Sequence, residues 1–243
     1  MKVKFLSIIL TLCILTSLFT VNGFAATEFR VITFRDVPVM FASGMDVSYF
    51  VPATTDANRG YDYFWMIEKY TTNGELAGAY WSDSMDNLAL RFYQMLDTTI
   101  TANDISPLKT AFGTSFDGNY MYIYYGIVML NNGYAFADNL GIRYFLTDGT
   151  SQTFVQENSS GNDYAYVAYN MPELGDVNCD SAVDTSDALY ILQCIVGKVE
   201  CTTSQMLLAD VDGTGDVTSS DALTVLQMLV GKISVFPAVQ QLV

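Results

Sequence analysis

The chain has 243 residues, 26 Asp and Glu against 11 Lys and Arg, no His, and a formal net charge of -15. Acids exceed bases in both halves, 17 to 7 over residues 27–174 and 9 to 2 over 175–243, which argues against nucleic acid or an anionic membrane as partner. Without His, the Ser-His-Asp and Cys-His mechanisms and His-ligated zinc are excluded, and carboxylates remain the main catalytic option.

Lys2 and Lys4 precede an apolar run from Phe5 to Phe19, followed by the small residues Gly23, Ala25 and Ala26. This pattern predicts a secretory signal peptide over residues 1–26 and release outside the cell. No run of 18 apolar residues follows it, so no membrane anchor is expected.

Residues 27–170 are rich in Tyr, Phe, Val and Thr and predict a mainly β domain, an antiparallel β-sandwich. The expected strands are Phe29–Phe34, Val47–Val51, Tyr61–Tyr70, Leu88–Leu96, Tyr120–Leu130, Gly141–Leu146 and Tyr164–Tyr169. Asn131-Asn132-Gly133 and Thr147-Asp148-Gly149 read as hairpin turns, and Asp104–Phe112 as a short helix. The stretch from Leu88 fits either a strand or a helical stripe; its β-rich flanks favour the strand.

Alternation places Tyr61, Tyr63 and Trp65 on one strand face, and Trp81 follows nearby. Together they make a candidate carbohydrate-binding platform. Asp62, Glu68, Glu75, Asp83, Asp86 and Glu157 are the carboxylates in aromatic surroundings, but the sequence singles out no catalytic pair. A non-catalytic carbohydrate-binding or adhesion module is therefore expected. A small carboxylate-dependent glycoside hydrolase is the alternative, and a structural or protein-binding module the third reading.

Residues 171–174 read as a linker, and a 34-residue repeat follows. Each copy has oxygen-bearing residues at the spacing of a twelve-residue calcium loop, whose positions 1, 3, 5, 7, 9 and 12 supply the ligands. In the first copy these are Asp176, Asn178, Asp180, the Ala182 carbonyl, Asp184 and Asp187. In the second they are Asp210, Asp212, Thr214, the Asp216 carbonyl, Thr218 and Asp221. Apolar residues at helical spacing follow each loop, giving loop then helix, twice. Two Ca2+ sites of unequal affinity are expected, because loop one offers four ligand-position carboxylates and loop two only three. Ser181 stands where loop one would prefer Gly.

Position 12 is Asp in both loops, Val occupies position 8, and Gly-Asp-Val-Asn and Ala-Asp-Val-Asp open the two copies. On these residues, 175–243 resembles a dockerin, a small all-α module that attaches secreted proteins to cohesin-bearing scaffoldins of cellulosome-like complexes. The resemblance implies a cohesin domain as partner and plant polysaccharide as the target of the complex. It also implies cohesin contacts at Thr185, Ser186, Leu192 and Gln193 in one copy and Ser219, Ser220, Leu226 and Gln227 in the other. The two faces nearly match, which implies binding in either of two orientations.

Cys179, Cys194 and Cys201 all lie in this segment. Cys194 and Cys201 could bridge if the chain turns back after the first helix, and unpaired thiols are the other possibility.

Overall fold

A computed structural model describes residues 27–49, 60–146, 149, 151–157 and 161–241. The expected signal peptide and part of the Val47–Val51 strand lie outside these residues; Val47–Tyr49 forms a 3-10 turn rather than a strand. The chain divides into two compact units.

The first unit takes residues from 27–38, 60–112 and 123–169. Its strands are β1 (Thr27–Val37), β2 (Tyr61–Tyr70), β3 (Leu76–Tyr80), β4 (Met121–Leu130), β5 (Tyr134–Leu146), β6 (Ser151–Gln156) and β7 (Tyr164–Met171), with the ends of β4 and β7 passing into the second unit. They form a three-stranded sheet, β1-β5-β6, and a four-stranded sheet, β3-β2-β4-β7. The β2–β3 and β5–β6 pairs are antiparallel, whereas β1 and β5 run parallel. The architecture is the expected β-sandwich, although β1 and β5 pair in parallel. Phe34 of β1 meets Tyr63 of β2 at 5.7 Å between ring centroids, and Gly126 of β4 lies beneath the Phe34 ring. A Cβ there would stand 2.7 Å from the ring, so this close approach requires glycine.

Two helices, α1 (Asp86–Leu96) and α2 (Ala102–Phe112), belong to the same unit. The Leu88–Leu96 strand expectation is therefore corrected to a helix. Ala89, Phe92 and Tyr93 are its buried residues, spaced i, i+3 and i+4, and they pack with Phe64, Met66 and Trp81. The four-stranded sheet thus carries the other sheet on one face and the helices on its opposite face. That double cover explains why β2 is buried continuously from Phe64 to Lys69. Asn131-Asn132-Gly133 links strands of different sheets and is not a hairpin; β5 and β6 do form one, although residues 147 and 148 of its turn lie outside the described residues.

The second unit contains residues 170–241 together with 39–49 and 113–122. Phe41 pairs with Glu173: its N–H donates to the Pro172 carbonyl at 3.0 Å, and its own carbonyl accepts from Leu174 at 2.7 Å. Phe41, Phe116 and Tyr122 form a ring cluster with centroids 4.6–5.3 Å apart. Its helices are α3 (Thr185–Ile195), α4 (Thr203–Ala209) and α5 (Ser219–Leu229); α3 packs against α5. Cys194 and Cys201 are joined in a disulfide, and Cys179 is free and exposed.

Candidate metal centres and partner face

Each acidic loop ends inside the first turn of the helix that follows it. Asp184 caps α3 by accepting from the Ser186 N–H at 2.6 Å, and Asp187 returns a bond to the Asp184 N–H at 2.9 Å. Thr218 and Asp221 repeat this capping box on α5. Loop positions 9 and 12 are therefore also N-cap and N3, so closing the loop and starting the helix are one event.

Asp187 and Asp221 are fully buried and Asp176 nearly so. Asp187 Oδ1 accepts from the backbone of Val177 at 2.8 Å and Asn178 at 3.1 Å. Asp176 accepts from Asp180 and Ser181 N–H groups at 3.1 and 3.0 Å. Burial pushes the Asp176, Asp187 and Asp221 carboxyls above the usual range, and neighbouring carboxylates add to the rise. No Lys or Arg is ion-paired with them among the described residues. Buried oxygen ligands with like-charged neighbours and no basic partner fit a hard divalent cation. In loop two, ligand oxygens of Asp210, Asp212 and Asp221 all lie within 4.8 Å of one another. In loop one, Asn178 occupies position 3, and its amide donates to Asp180 at 2.9 Å and Ser186 at 2.7 Å. Thr214, in the second loop, donates its hydroxyl to the Asp216 carbonyl at 3.3 Å.

The loops differ most in backbone conformation. Positions 4 and 6 are left-handed in both, but loop two places Gly213 and Gly215 there (φ 74° and 87°), whereas loop one places Cys179 and Ser181 (φ 60° and 74°). A side chain in that region costs about 1 kcal/mol or more. Cys179→Gly and Ser181→Gly should therefore each raise the stability of this unit by about 1 kcal/mol, measured by denaturant unfolding in the presence of calcium. Unchanged midpoints would show that loop one carries no such strain.

The helices expose two matching apolar faces. Leu189 and Leu223 are each 54% exposed, Leu192 and Leu226 are 41% and 40%, and Val196 and Val230 are 75% and 78%. Thr185, Ser186, Ser219 and Ser220 are exposed in the first turns of these helices; Gln193 and Gln227 are half-buried near their ends. All eight residues expected at the partner face are thus available on α3 and α5. Leu189, Val196, Leu223 and Val230 were not among them. The signal for them was the width of the apolar run: Ala188 and Ile191 suffice to bury α3, leaving the neighbouring apolar positions outward.

The aromatic platform is not assembled by the four expected residues. Trp81 is 1% exposed, with its indole N–H donating to Asp86 at 2.8 Å, and Trp65 is 5% exposed. Tyr61 and Tyr63 are half-buried; Tyr61 packs on Phe29, and the Tyr63 and Tyr124 hydroxyls are hydrogen-bonded at 2.9 Å. The double cover of the four-stranded sheet draws these rings inward. Of the candidate carboxylates, Glu68 is buried, Asp62 pairs with Arg91, and Asp83 and Asp86 both bind Lys109. Glu75 and Glu157 are exposed.

Residues 174–230 match the family described as Dockerin type I domain. Two solved chains from Acetivibrio cellulolyticus are similar to part of this chain. Both come from structures of the third cohesin ScaC in complex with a mutated ScaB dockerin, described as displaying a type I interaction. One, with the mutation in the C-terminal helix, is 39% identical over 27% of this chain and 92% of its own, with a TM-score of 0.26. The other, mutated in the N-terminal helix, is 36% identical over 28% of this chain and 94% of its own, with the same TM-score. No curated protein matches.

Proposed function

Because residues 174–230 form a type I dockerin module, we propose that this protein is a component of a cellulosome-type, polysaccharide-degrading complex. The module binds a cohesin domain of a scaffoldin, with one Ca2+ in each loop holding α3 and α5 in the binding geometry. The protein then works outside the cell, in a complex free in the medium or at the cell surface. The observation that carries this reading is the pair of matched apolar faces on α3 and α5, whose equivalent residues are exposed to nearly the same extent.

Two equivalent faces make a sharp expectation. Replacing Leu189 and Leu192 by Ala, or Leu223 and Leu226 by Ala, leaves one face intact and should weaken capture by a type I cohesin only about twofold. The fourfold variant removes both apolar centres and should lose roughly 100-fold or more. Calorimetric titration against a panel of type I cohesins reads both. A calcium-loaded chain that binds none of them, or a fourfold variant that binds like the parent, would overturn the assignment.

For the N-terminal unit the reading is a non-catalytic carbohydrate-binding or adhesion module. It is supported by the sandwich architecture, whose three-stranded sheet leaves an outward face open, with Val31 52% and Val155 62% exposed. Retention on a glycan array without release of reducing ends is the expected result for the full chain in calcium.

A further inference from the structure

We infer that the outward face of the three-stranded sheet binds a carboxylate-bearing polysaccharide, through Arg35 and Arg143. The inference deepens the carbohydrate-binding reading of the N-terminal unit and rests on it.

The cations of residues 27–174 are few, and most are already committed. Arg30 pairs with Glu28, Arg91 with Asp62, and Lys109 with Asp83 and Asp86. Lys69 is buried, and Arg59 lies outside the described residues. Arg35 and Arg143 remain, both exposed and neither ion-paired among the described residues.

Register puts these two on the same face. Thr33, Arg143 and Thr153 are lateral neighbours across β1, β5 and β6, and Phe145 is the neighbour of Ser151 one step further along. Tyr144, between Arg143 and Phe145, is buried inward, so Arg143 and Phe145 point outward. Arg35 lies over the Phe145 ring, 5.0 Å from its centroid, which holds the guanidinium in place. Arg35, seated on Phe145, is therefore beside β5 two residues along from Arg143, on the same face. The described positions in register with these two arginines, Val31, Gly141 and Val155, then Thr33 and Thr153, then Phe145 and Ser151, carry hydroxyls and no carboxylate.

A planar guanidinium takes a carboxylate in two parallel hydrogen bonds, and the hydroxyls suit the alcohol groups of a sugar chain. An exposed sheet face suits an extended polymer. The net charge of -15 opposes any polyanion at long range, but the Debye length is about 8 Å at 0.15 M salt. At that ionic strength the local face decides. At about 0.01 M the screening length grows to about 30 Å and the distant acids are felt; near 1 M it shrinks to about 3 Å and the contact itself weakens. Binding should therefore pass through a maximum with salt, unlike a uniformly basic site, which weakens monotonically.

The test is affinity electrophoresis and calorimetry of the full calcium-loaded chain with three probes: polygalacturonate, neutral xyloglucan and poly-glutamate. Polygalacturonate should bind best at intermediate salt. Arg143→Gln and Arg35→Gln should each weaken it roughly tenfold, the loss expected for one charge-assisted contact. Arg30→Gln, on the same sheet but already paired with Glu28, should leave it unchanged. Equal binding of poly-glutamate would overturn the polysaccharide assignment in favour of an acidic protein partner. Binding of xyloglucan alone, indifferent to Arg143, would overturn the inference and leave the carbohydrate reading standing. Binding of none of the probes would overturn this inference, and silence on the glycan array as well would remove the reading beneath it.

Discussion

Chelating calcium is expected to unfold the second unit while the sandwich stays folded. Asp176, Asp187 and Asp221 are buried carboxylates with acidic neighbours. Each loop also supplies the capping box of the helix that follows. Without the cation, repulsion within the loops acts directly on the starts of α3 and α5. A site held at a thousand times its dissociation constant contributes about 4 kcal/mol. Two such sites amount to about 8 kcal/mol, comparable with the whole stability of an ordinary domain. The two units can be read separately, because both tryptophans, Trp65 and Trp81, lie in the first. Chelator should remove the far-ultraviolet helical signal of α3, α4 and α5, leave that of α1 and α2, and leave the tryptophan emission in place. Retention of the helical signal would show that the loops do not depend on metal.

Glu68→Ala should be among the most damaging single changes in the sandwich. Glu68 is 6% exposed and gathers three phenols: Oε1 accepts from Tyr93 at 2.8 Å, Oε2 accepts from Tyr70, and Tyr125 completes the set. These residues tie β2 to α1 and β4. Removing the carboxyl strands buried hydroxyls, at a cost of about 3–5 kcal/mol. The melting temperature followed by tryptophan emission should fall by roughly 10 °C. Burial raises the Glu68 pKa, outweighing the phenol hydrogen bonds that lower it. The folded state therefore holds its proton more tightly than the unfolded chain, whose Glu titrates near about 4.3. This contribution to stability is fully present below that value and is lost as pH rises through the raised folded value. Glu68→Gln should abolish that part of the pH dependence; an unchanged slope would place its origin elsewhere.

The repeat was the most legible part of the sequence because its signal is local: ligand spacing, caps and helical stripe all fall within one copy. In the sandwich, β2 and β4 were legible because runs such as Phe64–Ile67 and Ile127–Leu130 are apolar and bounded by turns. Strand β3, Leu-Ala-Gly-Ala-Tyr, is too short and small to alternate visibly, and β6 is exposed on both faces, so neither gave a period-two pattern. The helix α1 was misread because Leu88, Leu90 and Phe92 alternate by chance; only packing selects the Ala89, Phe92 and Tyr93 stripe. The platform expectation assumed a sheet with one covered face. Nothing local to Tyr61–Tyr70 announces that α1 and α2 return to cover the other. The shared face of Arg35 and Arg143 depends on a parallel pairing between strands about a hundred residues apart, which a single sequence does not display.

The disulfide breaks a symmetry that the surfaces preserve. Cys194–Cys201 closes a small covalent ring at the end of α3, while the positions 34 residues on are Met228 and Val235, which cannot close one. Fraying of the last turn is restrained in the first repeat and freer in the second. A partner that requires both helix ends ordered must remove more motion from α5 than from α3. If the module binds in both orientations, the orientation that engages the cross-linked end of α3 is expected to be held longer, because the two faces share an outline and differ in stiffness.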